Sequence, residues 1–216
     1  AQLAEQALAL ADRPGVDAMA IRRLRLVAAR ALINLGNVER AGQLLDQQAL
    51  ADGGEQADWA VAQAWLEMRT GHHPEAEARL QRVLALLADA GPDDELATAA
   101  RWRLADLLRL TGRPGEMLAE LDATLAWQLS ALEPDHPRVA RTQMRRLHAM
   151  SLGGRSEQAM AELEPVMNRL IDSYGESSAM AAMVRTALGD TQFRLGRYQE
   201  AVELYQRAWD VWKEVL

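Results

Sequence analysis

Apolar residues recur at spacings of three and four along almost the whole chain, the period of helices buried on one face. Val and Ile are too few and too scattered for strands. The stripes predict a first helix over residues 1–12, carried by Leu3, Ala7, Leu10 and Ala11, and then five helix pairs. The pairs run 18–35 with 38–50, 56–70 with 74–90, 95–111 with 114–132, 138–152 with 156–173, and 179–195 with 198–216. Gly- and Pro-rich breaks separate them: Arg13-Pro14-Gly15, Asp52-Gly53-Gly54, Gly91-Pro92-Asp93-Asp94, Glu133-Pro134-Asp135-His136-Pro137 and Tyr174-Gly175-Glu176-Ser177-Ser178. Pro74 and Pro114 open helices at the position where a missing N–H costs nothing. Ser156 is the expected N-cap of its helix, and His136 caps the start of another.

Within each pair the same turn returns. It is Leu35-Gly36-Asn37-Val38-Glu39-Arg40-Ala41 in the first, Thr70-Gly71-His72-His73-Pro74-Glu75-Ala76 in the second and Leu195-Gly196-Arg197-Tyr198-Gln199-Glu200-Ala201 in the last. Gly112 with Met117, and Gly154 with Ala159, complete the set. The turn glycine recurs with a period of about 35 residues once and about 41–42 thereafter, the signature of a stacked repeat array. The expected organisation is one array over 1–216: the second helix of a truncated repeat at 1–15, then repeats at 16–52, 53–91, 92–133, 134–174 and 175–216. The chain opens inside a helix, which reads as a piece of a longer protein.

These residues resemble the tetratricopeptide repeat. That pattern has a small residue in the first helix (A), a Gly turn, an Ala five residues on in the second helix (B), and an aromatic or Leu four further. The last repeat carries Leu188-Gly189, Gly196, Ala201, Tyr205 and Ala208. The third has Leu104-Ala105, Gly112, Met117 and Leu121; the second Ala64, Gly71, Ala76 and Leu80; the first Ala29, Gly36, Ala41 and Leu45. The fourth has Gly154, Ala159 and Leu163, with Leu147 where a small residue is expected. The long period and Pro134-Asp135-His136-Pro137 followed by Val139-Ala140 resemble the kinesin-light-chain type, a variant also found in bacterial signalling proteins. The resemblance implies an all-α fold, a right-handed α-α superhelix of antiparallel helix pairs, with A helices on the concave face and B helices on the convex one.

Charge sharpens this picture. The 216 residues carry 24 basic and 31 acidic side chains, net −7. The A-helix segments 22–35, 57–70, 98–111, 140–153 and 182–195 run against that balance, with thirteen arginines against four acids. A concave wall of one sign attracts a partner of the other. The resemblance places thirteen residues in the groove as candidate partner contacts: Arg23, Arg30, Asn34, Trp65, Arg69, Trp102, Asp106, Arg109, Arg141, Arg145, His148, Asp190 and Arg194. Arg and Trp are the types most enriched in binding hot spots. The competing reading is that the arginines pair with acids on neighbouring helices and the tryptophans pack between them. The family's clamp for a peptide's terminal carboxylate needs Lys and Asn at positions held here by Leu26 and Arg30, so that ligand is not expected.

Catalytic chemistry has no foothold. Cys is absent, which fits the cytoplasm and also permits the periplasm. His72 and His73 are adjacent in a turn and cannot converge on one metal as an i, i+4 pair does. No phosphate loop or nucleophile motif is present, and no apolar run is long enough to span a membrane. The expected function is a non-catalytic scaffold for a protein or peptide, acidic where it binds through the inner arginines, without cofactor or direct nucleic-acid contact. It would serve as the sensor or recruitment domain of a larger regulator, such as a Ser/Thr protein kinase or a transcription regulator. The alternatives are a self-association module and, further off, a small-molecule sensor. The last helix bears on self-association. Its stripe Ala201, Leu204, Tyr205, Ala208, Val211, Trp212 and Val215 faces its own repeats, whereas Val202, Trp209 and Leu216 form a second stripe, expected to be covered by a further repeat or capping helix in a longer protein or by a homodimer contact in this one.

Overall fold

The computed structural model describes residues 2–11, 13–46 and 53–215. Among these there are eleven helices and no strand: α1 (Gln2–Ala11), α2 (Ala18–Asn34), α3 (Val38–Asp46), α4 (Gly53–Arg69), α5 (His73–Leu86), α6 (Glu95–Leu110), α7 (Pro114–Leu129), α8 (Pro137–Leu152), α9 (Ser156–Tyr174), α10 (Ala179–Arg194) and α11 (Tyr198–Val215). The fold is all-α. No described helix is long and apolar enough to cross a membrane.

The repeated turn explains the regularity. Gly36, Gly71, Gly112, Gly154 and Gly196 all have φ between +71° and +82°, the left-handed conformation that ends a helix at least cost in glycine. In each turn the next residue's N–H returns to a carbonyl five residues back. These bonds are Asn37 to Leu32, His72 to Glu67, Arg113 to Leu108, Arg155 to Met150 and Arg197 to Gln192, at 2.8–3.0 Å. That residue's own carbonyl then accepts from the N–H of Ala41, Ala76, Met117, Ala159 or Ala201, which starts the B helix. The five acceptor positions are thus satisfied within the turn, and the five side chains following them are buried.

Some boundaries depart from the sequence reading. Gly53 and Gly54 lie in the first turn of α4 instead of ending the preceding helix, a place where backbone N–H groups have no intrahelical partner to lose. The predicted stretch 47–50 of that preceding helix and Asp52 fall outside the described residues. α5 stops at Leu86, four residues early, as the chain turns towards Gly91-Pro92. α7 stops at Leu129 because the Ser130 hydroxyl and N–H both take the Trp127 carbonyl. Ser156 is not an N-cap. The turn puts Arg155 there, and the Ser156 hydroxyl meets that of Ser151 at 2.8 Å. His136 does cap α8, its ring nitrogen accepting from the Arg138 N–H. α9 continues through Pro165.

The chain divides into two compact units, one of residues 1–90 with 95–107 and one of 91–94 with 108–216. In the first, α2 packs on α1, α3 and α4, and α4 on α5. Small side chains permit this closeness: Ala28, Ala29, Ala41 and Ala62 are fully buried with Ile33 and Leu45. Trp59 joins them and donates its indole N–H to the Leu45 carbonyl at 3.0 Å. In the second unit α8 packs on α7, α9 and α10, and α10 on α9 and α11. Leu121, Leu147, Leu163, Leu170 and Leu188 fill its core, each burial contributing about 1.5–3 kcal/mol. Leu147, out of pattern in the sequence, is simply a core residue.

Candidate binding surface

In the first unit three of the expected contact residues, Arg30, Trp65 and Asp106, are engaged with other side chains of the same unit. Arg30 on α2 pairs with Asp58 on α4. Trp65 on α4 packs against the core, and the Arg103 guanidinium lies 3.8 Å from its ring centroid, also pairing with Asp106 at 3.5 Å. The Trp65 face is therefore covered by a cation of the same unit rather than open to a ligand. Trp102 is half-buried, while Arg23, Asn34 and Arg69 are exposed. Here ion pairing and packing, the competing reading of these residues, prevail at Arg30, Trp65 and Asp106.

The second unit gathers charge differently. Arg109 from the end of α6, Arg145 and His148 from α8, and Asp190 and Arg194 from α10 act on one spot, the half-buried His148 imidazole. Burial lowers its pKa, then the Arg194 charge; Asp190 raises it, and Arg109 and Arg145 lower it further. Arg109 and Arg194 are exposed and make no ion pair among the described residues. Arg141 is exposed, two turns before His148 on α8. Arg146, which the inward set omits, bridges Asp122 of α7 and Glu162 of α9.

His148 opens into a pocket of about 980 Å³ bounded by α8, the start of α9, α10 and α11. Its wall includes residues the sequence did not single out as contacts: Ser151, Arg155, Glu157, Phe193 and Tyr205. Tyr205 donates its hydroxyl to Asp190 at 2.8 Å; burial first, then that bond, push its pKa up to about 12, so it stays a neutral donor. Glu157 is held by Arg197 at 2.7 Å. Phe193, on the wall, stacks edge to face on Tyr198 with centroids 5.3 Å apart, and both are more than half exposed. The sequence signal for this pair existed: Phe193 is the chain's only Phe, at the end of an A helix beside the turn.

The room for Tyr205 comes from Gly189. A Cβ at that position would stand 2.6 Å from the Tyr205 ring, so only glycine permits the ring to lie across α10 and reach Asp190. Elsewhere the histidines stay apart: His72 Nδ1 meets the Thr70 hydroxyl at 2.9 Å, and no group of three metal-ligating side chains forms among the described residues.

No protein-family model and no curated protein matches the sequence. Solved structures do match its fold. A kinesin-light-chain-like protein of Podosopora anserina, built of nearly identical TPR-like repeats, superposes with a TM-score of 0.71 at 21% identity over 89% of this chain and 95% of that one. BtubC of P. vanneervenii gives 0.69 at 16% over 99% and 88%. A Rap protein complexed with Competence and Sporulation Factor gives 0.69 at 15% over 98% of this chain and 61% of that one. The fold is that of tetratricopeptide-type repeats, with long kinesin-light-chain-like arrays among its neighbours.

Proposed function

We propose that this tetratricopeptide-type chain is a non-catalytic scaffold that binds a protein or peptide on its A-helix surface, as the sensor or recruitment part of a larger regulator. The observation that carries the reading is the pocket that His148, Arg155 and Arg194 line, its imidazole also under the charges of Arg109 and Arg145, with the exposed Phe193 ring on its wall stacked on Tyr198. The exposed Arg109 and Arg194, with the exposed Phe193 and Tyr198 rings, combine the charge and the apolar area that peptide contacts use. The Rap protein with a bound factor lends support by fold analogy only. The partner is acidic, and its affinity falls with salt because exposed charges are screened over about 8 Å at physiological ionic strength. A pull-down compares the wild-type chain with Arg109→Glu/Arg194→Glu. Partners captured by the first and lost by the second support the scaffold; capture of the chain by itself alone overturns it.

A second reading, self-association, rests on α11. Val202 and Trp209 are 60% and 58% exposed on this helix. An apolar stripe of that kind is suited to a second copy.

A further inference from the structure

On the scaffold reading, we infer that the pocket between α8 and α10 takes a side-chain carboxylate of an acidic peptide, with a neighbouring aromatic or apolar residue on Phe193 and Tyr198, and that binding draws one proton onto His148.

The pocket is made for one negative charge. Arg194 stands on the wall beside His148, the charges of Arg109 on α6 and Arg145 on α8 act on the same imidazole, and the opposing carboxylate, Asp190, is already bonded to Tyr205. Of the other charged groups on its wall, Glu157 is occupied by Arg197, and Arg155 adds a further cation. The local balance is positive, with room for an acyl side chain and its hydration. Of the Ser151–Ser156 hydroxyl pair one O–H bonds the other oxygen, which leaves one hydroxyl donor on the same wall.

The proton follows from the same arrangement. In the free protein burial and the arginines hold His148 below the ordinary histidine value of 6.5, so it is neutral at pH 7. An incoming carboxylate reverses the sign of the nearest field and stabilises imidazolium. Tyr205 stays protonated throughout, and Asp190 stays paired, so His148 is the group that takes up the proton. Between the free and bound pKa values, affinity therefore rises as pH falls, by at most about tenfold per pH unit for one proton.

The test uses calorimetry on the chain with two blocked pentapeptides. One has four glutamates around a central phenylalanine; the other has glutamines in their place. Titration at pH 6, 7 and 8 in two buffers of different ionisation enthalpy counts protons. The acidic peptide should bind with uptake approaching one proton and tighten at lower pH, and the glutamine peptide should bind at least about tenfold more weakly. His148→Gln should keep acidic-peptide binding but show no uptake and a flat pH profile. Arg194→Gln should weaken binding about tenfold with the fold intact by circular dichroism. Uptake that persists in His148→Gln overturns the assignment, as does equal binding of the two peptides. If neither peptide binds while the chain still captures a partner through Arg109 and Arg194, the pocket inference falls and the scaffold stands.

Discussion

Gly196 has a φ of +75° and open space where a Cβ would go, while Gly189 has the Tyr205 ring 2.6 Å from that point. The two glycines are therefore needed for different reasons, backbone conformation and side-chain room. Gly196→Ala should cost about 1–2 kcal/mol, the penalty of a left-handed residue, and the cost should be the same whatever occupies position 205. Gly189→Ala should cost about 1–3 kcal/mol by overpacking and lose most of that cost in a Tyr205→Leu background. Urea denaturation of both cycles measures this; equal costs for Gly189→Ala in the two backgrounds would exonerate the ring. Gln128 makes the opposite case. It is fully buried on α7, and neither atom of its amide has a partner among the described residues. The corresponding positions of α9 and α11 hold Leu170 and Trp212. Gln128→Leu should raise stability by about 1–3 kcal/mol in the same assay, since an unbonded buried amide retains its desolvation cost; a loss of stability would mean that the amide has a hidden partner. The turn glycines were legible in the sequence because a turn is a local event, complete within six residues. The match of Gly189 to Tyr205, and the Tyr205 bond to Asp190, were not, because they depend on how far one helix sits from another.

At the scale of the helix, α11 poses the sharpest question. Its Ala201, Ala208 and Val211 are buried against its own unit. Val202 and Trp209, one heptad apart on another face, are exposed. The corresponding residues of α7 and α9 are Leu118 and Met160, both buried, and Leu125 and Met167, both half-buried. Those two helices pack on the A helices that follow them, α8 and α10. No described helix does this for α11; Leu216 and the Val215 side chain, the remaining members of the two sequence stripes, lie outside the described residues. Sedimentation of the chain should show concentration-dependent self-association, reduced by Trp209→Glu without loss of helicity. A wild-type chain that stays monomeric at high concentration would retire the second functional reading. Helical faces were readable in sequence because period alone sorts them. Ion pairs were not: thirteen A-helix arginines looked alike, yet Arg30 and Arg146 found carboxylates on adjacent helices while Arg194 did not. Only the partner's position on another helix separates a neutralised arginine from an available one.

Across the molecule, five turns of one geometry invite the view that the repeats are interchangeable, and Gly189 limits it. Seven residues before the turn glycine stand Ala29, Ala64, Ala105, Leu147 and Gly189; nine after it stand Leu45, Leu80, Leu121, Leu163 and Tyr205. Glycine thus occurs where the opposing side chain is the largest. Removing residues 155–196 joins Gly154 to Arg197 with the turn intact, and brings α11 onto α8. Tyr205 then confronts Leu147 instead of Gly189. The shortened chain should stay helical by circular dichroism but melt broadly, and Leu147→Gly should sharpen the transition. A sharp transition without that change would show that the pairing is dispensable. Recombination among such repeats would then have a grammar: a crossover at the turn glycine always parts the residue seven before from its mate nine after, so it succeeds only between repeats whose pairs match, and a lineage that shuffles freely must cut between helix pairs and carry both halves together.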